Sequence, residues 1–382
     1  MADALWLFAV LRIGLTVFAL FLALQTQLPP PCHFEQAQSH WRTFPPFAEG
    51  RLEFPFVGVW QRWDACWYTK IATYGYEPGE NAVAFFPLFP ALIRTVGTDV
   101  ALAGLVVSAV AYIAAMIGLH RLITMDFDAG VARRTAFYLS IFPSAFFLLA
   151  PFTESLFLAL SVWTLYAARR RVWLAAAAFG ALAALTRVQG IVLCLPLAWE
   201  AYLGWRAGRG DAGTRRLVGR AVAPAVAVVA PVAALGAFFV LAQRATGQDP
   251  IAAQQLWGGG SPFNGPWTLI QASTRWAVEH ADPLQALNLT ALLGFIALFL
   301  AGLDRLPVSY SLFVAPQLAV VATRILPIPL TSTTRLLIVL FPVFVIVALL
   351  GQDERFDRAW TVLSLLLLGL LTAAFLRGDF VA

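Results

Sequence analysis

The sequence is poor in charged residues. Asp, Glu, Lys and Arg make up 12% of the 382 residues, whereas 60% of the residues are hydrophobic. Soluble domains carry roughly 25% charged residues, so the composition excludes a soluble globular protein and predicts a polytopic membrane protein. The net charge of +5 does not indicate nucleic-acid binding, because the basic residues lie in short segments between apolar runs, as the positive-inside rule expects.

Cysteine and histidine are also scarce, with three and four residues. There is no C-x-x-C pair, and the spacing of Cys32, His33 and His40 matches no zinc site. Cys32 and Cys66 fall on the same predicted side of the membrane. A disulfide between them is possible, but the sequence does not give their separation. No nucleotide-binding glycine motif, P-loop or Ser-His-Asp arrangement occurs in a usable context, and no internal repeat of the transporter type is evident.

Long apolar runs fill most of the chain. A spanning helix needs about 20 mostly apolar residues, and windows of that length predict about eleven transmembrane helices in a single integral membrane domain, 1–382. The first run lacks a basic flank and a cleavage site, which predicts a retained helix rather than a cleaved signal peptide. The predicted helices cover 4–24, 100–122, 131–149, 153–168, 172–186, 188–205, 221–243, 284–303, 306–323, 334–351 and 358–376.

The placement of arginine predicts the topology. With a cytoplasmic N-terminus, the inside connections hold most of the arginines, including those of the basic loop 204–220. The long loops 25–84 and 244–283 then face outside, so a cysteine placed at Ala253 should react with an impermeant reagent. The short run 85–96 contains two prolines and is either a half-length span or a re-entrant segment. A full span there would invert every later loop and break the charge bias, which favours the re-entrant interpretation.

The stretch 60–90, WQRWDACWYTKIATYGYEPGENAVAFFPLFP, differs from the rest of the chain. Asp64 lies among aromatic residues, Lys70, Glu77 and Glu80 follow, and an apolar run punctuated by proline closes the stretch. Carboxylates among aromatic rings beside a bilayer indicate a site for a polar head group carried on an apolar tail. The same pattern is also typical of an interfacial aromatic belt with solvated charges.

Three further ionisable residues lie beside apolar helices, where such groups are costly and by default mark functional sites. Glu154 follows a proline turn, where the helix dipole alone would favour a carboxylate. Arg187 either belongs to a site or pairs with Glu154. Arg335 has no acidic residue nearby in the sequence, so its natural complement is an anionic ligand. The predicted topology places all three on the same outside face as Asp64.

Several motifs together point to one family. Arg62-Trp63-Asp64, Ile71-Ala72, Gly75-Tyr76 and the run 84–90, AFFPLFP, resemble the signature of the GPI mannosyltransferase II family (PIG-V-like) and its bacterial relatives. Those proteins are GT-C-type membrane glycosyltransferases. Weaker similarities occur around Glu154, Arg187, 246–257 and Arg335, with two departures: Leu336 stands where tyrosine is usual, and Gly258 where a basic residue is usual.

The resemblance implies an all-α, GT-C-type fold with re-entrant or interfacial helices in the first outside loop. It also implies transfer of a hexose, mannose in the family, from a polyprenyl-phosphate donor to a hydroxyl of a lipid-, glycan- or protein-linked acceptor outside the cell membrane. The donor carries a single phosphate on a lipid rather than a nucleotide diphosphate, so no metal or other cofactor is expected, and a single displacement inverts the anomeric centre. A transporter or flippase of lipid-linked sugars is the alternative, because it needs the same groove and charged pocket.

The chemistry of this reaction assigns roles to the residues. A sugar hydroxyl needs a carboxylate as general base, a phosphate leaving group needs cationic partners, and a sugar face stacks on aromatic rings. The predicted catalytic residues are Asp64 and Glu80. The predicted donor-phosphate residues are Arg335, Arg187 and Lys70, with Arg324 behind them. The predicted substrate residues are Trp63, Trp67, Tyr68, Glu154, Gln254, Gln255 and Trp257, and the predicted lipid groove is lined by Phe85, Phe86 and Phe89.

Overall fold

All regular structure in the described part of the chain is helical. The structure is a computed structural model that describes residues 2–30, 32, 54–97, 99–207, 214–258, 265–323 and 328–381, apart from the side chains of 214–220 and 257–258. The α-helices are α1 Ala2–Gln25, α2 Asp64–Tyr74, α3 Leu88–Val96, α4 Val100–Ile123, α5 Ala129–Ser140, α6 Glu154–Arg169, α7 Trp173–Ala184, α8 Cys194–Ala207, α9 Thr214–Thr246, α10 Pro250–Gly258, α11 Pro266–Glu279, α12 Pro283–Ala301, α13 Val308–Thr323, α14 Thr333–Leu337, α15 Phe341–Leu350 and α16 Glu354–Leu376. Short 3₁₀ turns occupy Gly58–Trp60, Ala82–Ala84, Ala145–Leu148 and Val188–Leu193.

Six helical segments of the described chain are long and apolar enough to cross a membrane. Their outer faces carry large exposed apolar side chains, such as Trp6 and Leu24 of α1, which are 72% and 75% exposed. A surface of this kind requires a cover of lipid or protein, and the prediction of a multi-pass membrane protein agrees with it. The six segments are Ala2–Gln25, Val100–Ile123, Val188–Ala207, Ala221–Thr246, Pro283–Ala301 and Glu354–Leu376.

Two of the predicted spans are wrong as continuous helices. The predicted helix 131–149 ends at Ser140, and the chain continues as an irregular turn through Pro143 into a 3₁₀ turn. The predicted helix 334–351 is divided into α14 and α15, and Pro342 lies in the first turn of α15. Proline lacks the backbone N–H of a helix interior, and its ring crowds the preceding turn, so an apolar window that contains proline need not form one helix.

The two most deeply buried helices are α6 and α15. In α15 every residue from Phe341 to Ala348 is buried, and α6 is buried along most of its length. A helix that is apolar on all sides belongs inside a bundle; α15 packs on α5, α12 and α13, and α6 packs on α4 and α7. The start of α6 and the segment before α15 therefore lie inside the bundle.

The first predicted outside loop contains two helices, α2 and α3. The nine residues of α3 extend only about 14 Å at 1.5 Å per residue, which is half of a hydrocarbon core of about 30 Å. The run 85–96 is therefore not a full span. It packs against α2 and α4, and its re-entrant placement stays a prediction.

Cys32 and Cys66 form a disulfide, with their Cα atoms 5.6 Å apart. The sequence left this bond open, because 34 residues separate the two cysteines. The bond ties the chain that follows α1 to the first turn of α2, two residues after Asp64. Cys194 is a free cysteine.

The remaining predicted loops are partly helical. The basic loop 204–220 begins inside α8 and ends inside α9, while 208–213 lie outside the described residues. The second outside loop, 244–283, contains the end of α9 and all of α10 and α11. The described parts of both loops are thus more regular than their glycine content indicated.

Candidate active site

Four charged side chains from distant parts of the chain meet at one place. Asp64 is the first residue of α2, Glu154 is the first residue of α6, Arg187 precedes the 3₁₀ turn Val188–Leu193, and Arg335 lies in α14. We call these four residues the charge cluster. The structure brings together the acids and arginines that the sequence singled out from four separate motifs.

Glu154 is the centre of the charge cluster. Its side chain is fully buried, and its Oε1 atom accepts a hydrogen bond of 2.5 Å from Arg187 Nη1 and another from Arg335 Nε. The other oxygen, Oε2, is buried and has no hydrogen-bond partner among the described residues. A buried carboxylate oxygen without a partner is costly, so this oxygen indicates a place for a donor group from a ligand.

Arg335 joins the two carboxylates. Its Nη1 atom donates to Asp64 Oδ2 at 2.5 Å, in addition to the bond from Nε to Glu154. The expectation that Arg335 lacks a carboxylate partner is therefore wrong. The partners are 181 and 271 residues away in the sequence, which is why a search of the neighbouring sequence misses them.

Aromatic rings also hold the Arg335 guanidinium. Its carbon Cζ lies 4.7 Å from the ring centre of Phe152 and 5.2 Å from that of Phe147. Rings at these distances attract a cation through their negative faces. Burial lowers the pKa of Arg335, but the charges of Asp64 and Glu154 outweigh it and raise the pKa above its usual value. Arg335 is a fixed positive charge.

Helix geometry favours both carboxylates. Asp64 and Glu154 each stand at the N-terminus of a helix, where the helix dipole and free N–H groups stabilise negative charge. Trp63, directly before Asp64, has a φ of 52°, and Ser332, before Arg335, has a φ of 63°. Such conformations cost a non-glycine residue about 1–3 kcal/mol and cluster at functional sites.

Two neighbouring elements fix the segment that carries Arg335. Ser144 Oγ donates to the carbonyl of Thr334 at 2.9 Å, and Asn288 Oδ1 accepts from the N–H of Thr334 at 3.4 Å. Gln285, one turn before Asn288 on α12, donates to the carbonyl of Pro329. These buried polar side chains position α14. No pattern in the sequence marks them, because each lies in an ordinary apolar run.

Arg62 positions the loop that carries Asp64. Its guanidinium donates to the carbonyls of Pro29, Pro30 and Leu376 at 2.7, 2.6 and 3.2 Å. Burial lowers the pKa of Arg62 to about 10, so it stays charged at neutral pH. No role was predicted for Arg62, although it belongs to the motif Arg62-Trp63-Asp64. It joins the segment after α1 and the end of α16 to the loop before Asp64.

Lys70 and Glu80 form a second buried ion pair. Lys70 Nζ lies 2.6 Å from Glu80 Oε1, and the side chains are 1% and 7% exposed. Lys70 is six residues after Asp64 on α2, which is about 9 Å along the helix axis. The structure thus pairs these two predicted site residues with each other, and Lys70 lies between one and two helical turns along α2 from Asp64 of the charge cluster.

The predicted substrate aromatics are mostly buried. The ring of Trp67 stacks on Phe85 at 5.4 Å, and Tyr68 meets the edges of Phe85 and Phe89 at 5.6 and 5.1 Å. Burial and, next, the charge of Asp64 raise the pKa of Tyr68, so its phenol stays neutral beside the cluster. Trp63 is half-buried and packs on another ring.

The three phenylalanines predicted to line an open lipid groove are buried as well. Phe85 and Phe89 pack in the main core with Tyr68, while Phe86 packs on Phe238 and Phe239 of α9. This differs from the prediction, because none of the three rings faces an open groove. Pro87 is the N-cap of α3 and Pro90 lies in its first turn, and the phenylalanine rings around them fill space between helices.

The second predicted outside loop packs against the first. Gln254 donates to the carbonyl of Ala84, Gln255 is exposed, and Ala253 is fully buried. The Trp257 side chain and Arg324 lie outside the described residues. Because Ala253 is buried, a cysteine there is no probe of the outside surface, and the labelling expectation for that position is wrong.

Gln248 connects the two predicted outside loops through three hydrogen bonds. In the orientation that satisfies its amide, the side-chain oxygen accepts from the N–H groups of Gly79, Glu80 and Asn81 at 3.1, 3.2 and 2.9 Å. Three successive N–H groups converge in this way because Gly79 has a φ of 88°, a backbone nest that binds an acceptor. Gln248 therefore holds the turn that presents Glu80 to Lys70.

Comparison with known proteins gives one family. A family model with the description Mannosyltransferase (PIG-V) matches residues 3–199, more than half of the chain. The matched region contains Asp64, Glu154 and Arg187, whereas Arg335 lies beyond it. No curated protein and no solved structure matches the sequence.

Proposed function

Because the chain belongs to the PIG-V mannosyltransferase family, we propose that it moves mannose from a polyprenyl-phosphate donor to an acceptor hydroxyl on the outer side of the cell membrane. Membership of that family makes the chain a glycosyltransferase. The donor, the side of the membrane and the roles of individual residues are the proposal. The observation that carries it is the charge cluster, which joins carboxylates and guanidinium groups inside a helical membrane protein.

Asp64 is the general base of the proposed reaction. Its side chain is 27% exposed, whereas that of Glu154 is fully buried, so Asp64 is the acid of the cluster that an incoming acceptor can reach. A carboxylate there removes the proton as the hydroxyl oxygen attacks the anomeric carbon. Glu154 has a different task, because its free Oε2 atom suits a hydrogen bond from a hydroxyl of the transferred sugar.

Arg335 and Arg187 stabilise the leaving phosphate. As the bond from the anomeric carbon to the phosphate oxygen breaks, its electron pair stays on the phosphate and negative charge grows there. Guanidinium groups held in place by Glu154 meet that charge without reorganising. Lys70 is bound to Glu80, so we give it and Glu80 a supporting role rather than the direct roles in phosphate binding and catalysis that the sequence indicated.

A transfer assay tests the proposal. Purified protein in lipid nanodiscs receives polyprenyl-phosphate-[¹⁴C]mannose and, as acceptor pool, a lipid and cell-wall extract; GDP-[¹⁴C]mannose serves as the control donor. We expect label to move to an acceptor from the polyprenyl donor only, with inversion of the anomeric configuration. Transfer from the nucleotide alone would contradict the proposal. Movement of intact donor across vesicles without transfer would establish the flippase instead.

Gln255 gives a test of the proposed orientation. It is exposed on α10, two residues after the buried Ala253. In a Cys194→Ala background that retains the Cys32–Cys66 disulfide, we expect Gln255→Cys to react with an impermeant maleimide in intact cells. Arg133→Cys, exposed at the start of α5, is the matched control and should react only after lysis. The reverse pattern of labelling would invert the topology.

A further inference from the structure

The charge cluster is already balanced by its own residues. Two carboxylates, Asp64 and Glu154, face two guanidinium groups, Arg187 and Arg335. A phosphate that joins Arg335 brings at least one more negative charge into a buried place, where an unbalanced charge is expensive. Binding of the phosphate is therefore more favourable if one carboxylate leaves Arg335 and moves toward water.

The two carboxylates differ in how firmly they are held. Glu154 is 0% exposed and bound by two arginines, whereas the Asp64 side chain is 27% exposed and bound to Arg335. Releasing Glu154 would leave its buried carboxylate without a cationic partner and would break its bonds to both Arg187 and Arg335. Releasing Asp64 moves a carboxylate toward water, which costs much less. Asp64 is the partner that can leave.

The geometry of the reaction also requires Asp64 to leave. Asp64 Oδ2 lies 2.5 Å from Arg335 Nη1, so while this bond holds, Asp64 lies beside the same guanidinium that is to bind the phosphate. In an inverting displacement the base and the leaving group lie on opposite sides of the anomeric carbon. The acid and base of inverting glycosidases, which enclose a sugar and a nucleophile, are about 6.5–9.5 Å apart. The pair with Arg335 holds Asp64 too close to the phosphate.

We propose that the donor phosphate displaces Asp64 from Arg335 and so releases the base that the reaction needs. This inference rests on the proposed function, since it assigns the phosphate to Arg335. While Asp64 Oδ2 accepts the hydrogen bond from Arg335 Nη1, this oxygen is occupied and is not directed at the acceptor hydroxyl. After the exchange, phosphate and Glu154 share Arg335, and Asp64 turns to the acceptor. The base becomes active only when a donor is present.

The exchange predicts a gain of affinity from the loss of a catalytic acid. In Asp64→Asn the phosphate no longer competes with a carboxylate for Arg335, so the variant should bind farnesyl phosphate about tenfold more tightly, equivalent to about 1.4 kcal/mol. The measurement is titration calorimetry on the full chain in nanodiscs. Farnesol, which lacks the phosphate, should bind wild type and variant alike. Glu279→Gln, which removes an exposed carboxylate at the end of α11, controls for net charge.

A double-mutant cycle separates exchange from simple repulsion between Asp64 and the phosphate. If Asp64 competes for Arg335, Asp64→Asn should give no gain in an Arg335→Gln background. An equal gain in both backgrounds would show repulsion alone and overturn the exchange. Asp64→Ser, which also lacks the charge, repeats the test if the Asn variant folds poorly.

The outcomes also distinguish this inference from the proposed function. Weaker binding in Arg335→Gln together with unchanged or weaker binding in Asp64→Asn overturns the exchange and leaves the phosphate site in place. Unchanged binding of farnesyl phosphate in both variants overturns the phosphate site itself. Tighter binding in Asp64→Asn that is lost in the Arg335→Gln background is the result that the exchange predicts.

Discussion

Replacement of Asp64 by asparagine is expected to lower the rate of sugar transfer by about 10²-fold or more, the scale of a lost general base. Asparagine has nearly the same shape but cannot take the proton of the acceptor hydroxyl. Arg335 keeps Glu154 as a charged partner, and Asp64 is partly exposed, so the variant should fold and melt near the wild-type temperature. The measurement is single-turnover transfer at saturating donor, beside a melting curve.

The matched control for this variant is Glu279→Gln, which makes the same chemical change at an exposed position on α11. It should transfer at the wild-type rate. Near-normal transfer by Asp64→Asn would remove Asp64 as the base and turn attention to Glu154 or Glu80. Asp64→Asn should bind the donor phosphate more tightly and yet transfer sugar slowly. These opposite changes in affinity and rate would identify Asp64 both as the general base and as the residue that the phosphate displaces.

Replacement of Arg335 by lysine should cost about 10²–10³ in the rate of transfer, the range seen when one stabilising donor is lost. Arg335 uses Nε for Glu154 and Nη1 for Asp64, and its Cζ atom lies over two phenylalanine rings. A lysine carries one nitrogen and cannot form this fork. From the sequence, where Arg335 lacks an acidic neighbour, the variant is expected to melt like wild type or slightly higher.

The structure reverses that expectation for stability. Lysine leaves at least one carboxylate less well compensated, and breaking a buried ion pair costs up to about 3–5 kcal/mol, so Arg335→Lys should melt earlier. Arg358→Lys is the matched control, because Arg358 pairs with Glu354 on the surface, with both side chains more than three-quarters exposed. The control should change neither rate nor melting. Wild-type transfer by Arg335→Lys would contradict a role in stabilising the leaving phosphate.

Long uninterrupted apolar runs could be predicted well. The expected helices 4–24 and 100–122 appear as α1, Ala2–Gln25, and α4, Val100–Ile123, because hydropathy over 20 residues is sufficient to define such helices. The windows 131–149 and 334–351 are also mostly apolar, but Pro143 and Pro342 interrupt them. An average of hydropathy over a window takes no account of the backbone hydrogen bond that a proline removes from a helix.

The candidate site was predictable as a set of residues but not as a network. Asp64, Glu154, Arg187 and Arg335 stand out because ionisable groups beside apolar helices are costly. The link from Arg187 to Glu154 could be anticipated, because the predicted topology places both residues on the same side of the membrane and only 33 residues separate them. The bonds of Arg335 could not, because sequence separation of 181 and 271 residues carries no information on distance in space.

The supporting residues show the same limit. Lys70 and Glu80 each looked like a site residue, yet they satisfy each other. Gln248 lies in the stretch 246–257 that weakly resembles the family, where it was assigned no role, yet three backbone N–H groups converge on it. A sequence shows which groups need partners; only the fold shows which partners they find.

Sugar transfer at the charge cluster can be tested with an experimental structure of the protein bound to a polyprenyl-phosphonate mannose, which binds like the donor but does not react. We expect the phosphonate on Arg335 and Arg187, with Asp64 turned away from Arg335 toward the opposite face of the anomeric carbon. A phosphonate bound at Lys70 in place of Glu80, or at any position away from Arg335, would contradict it.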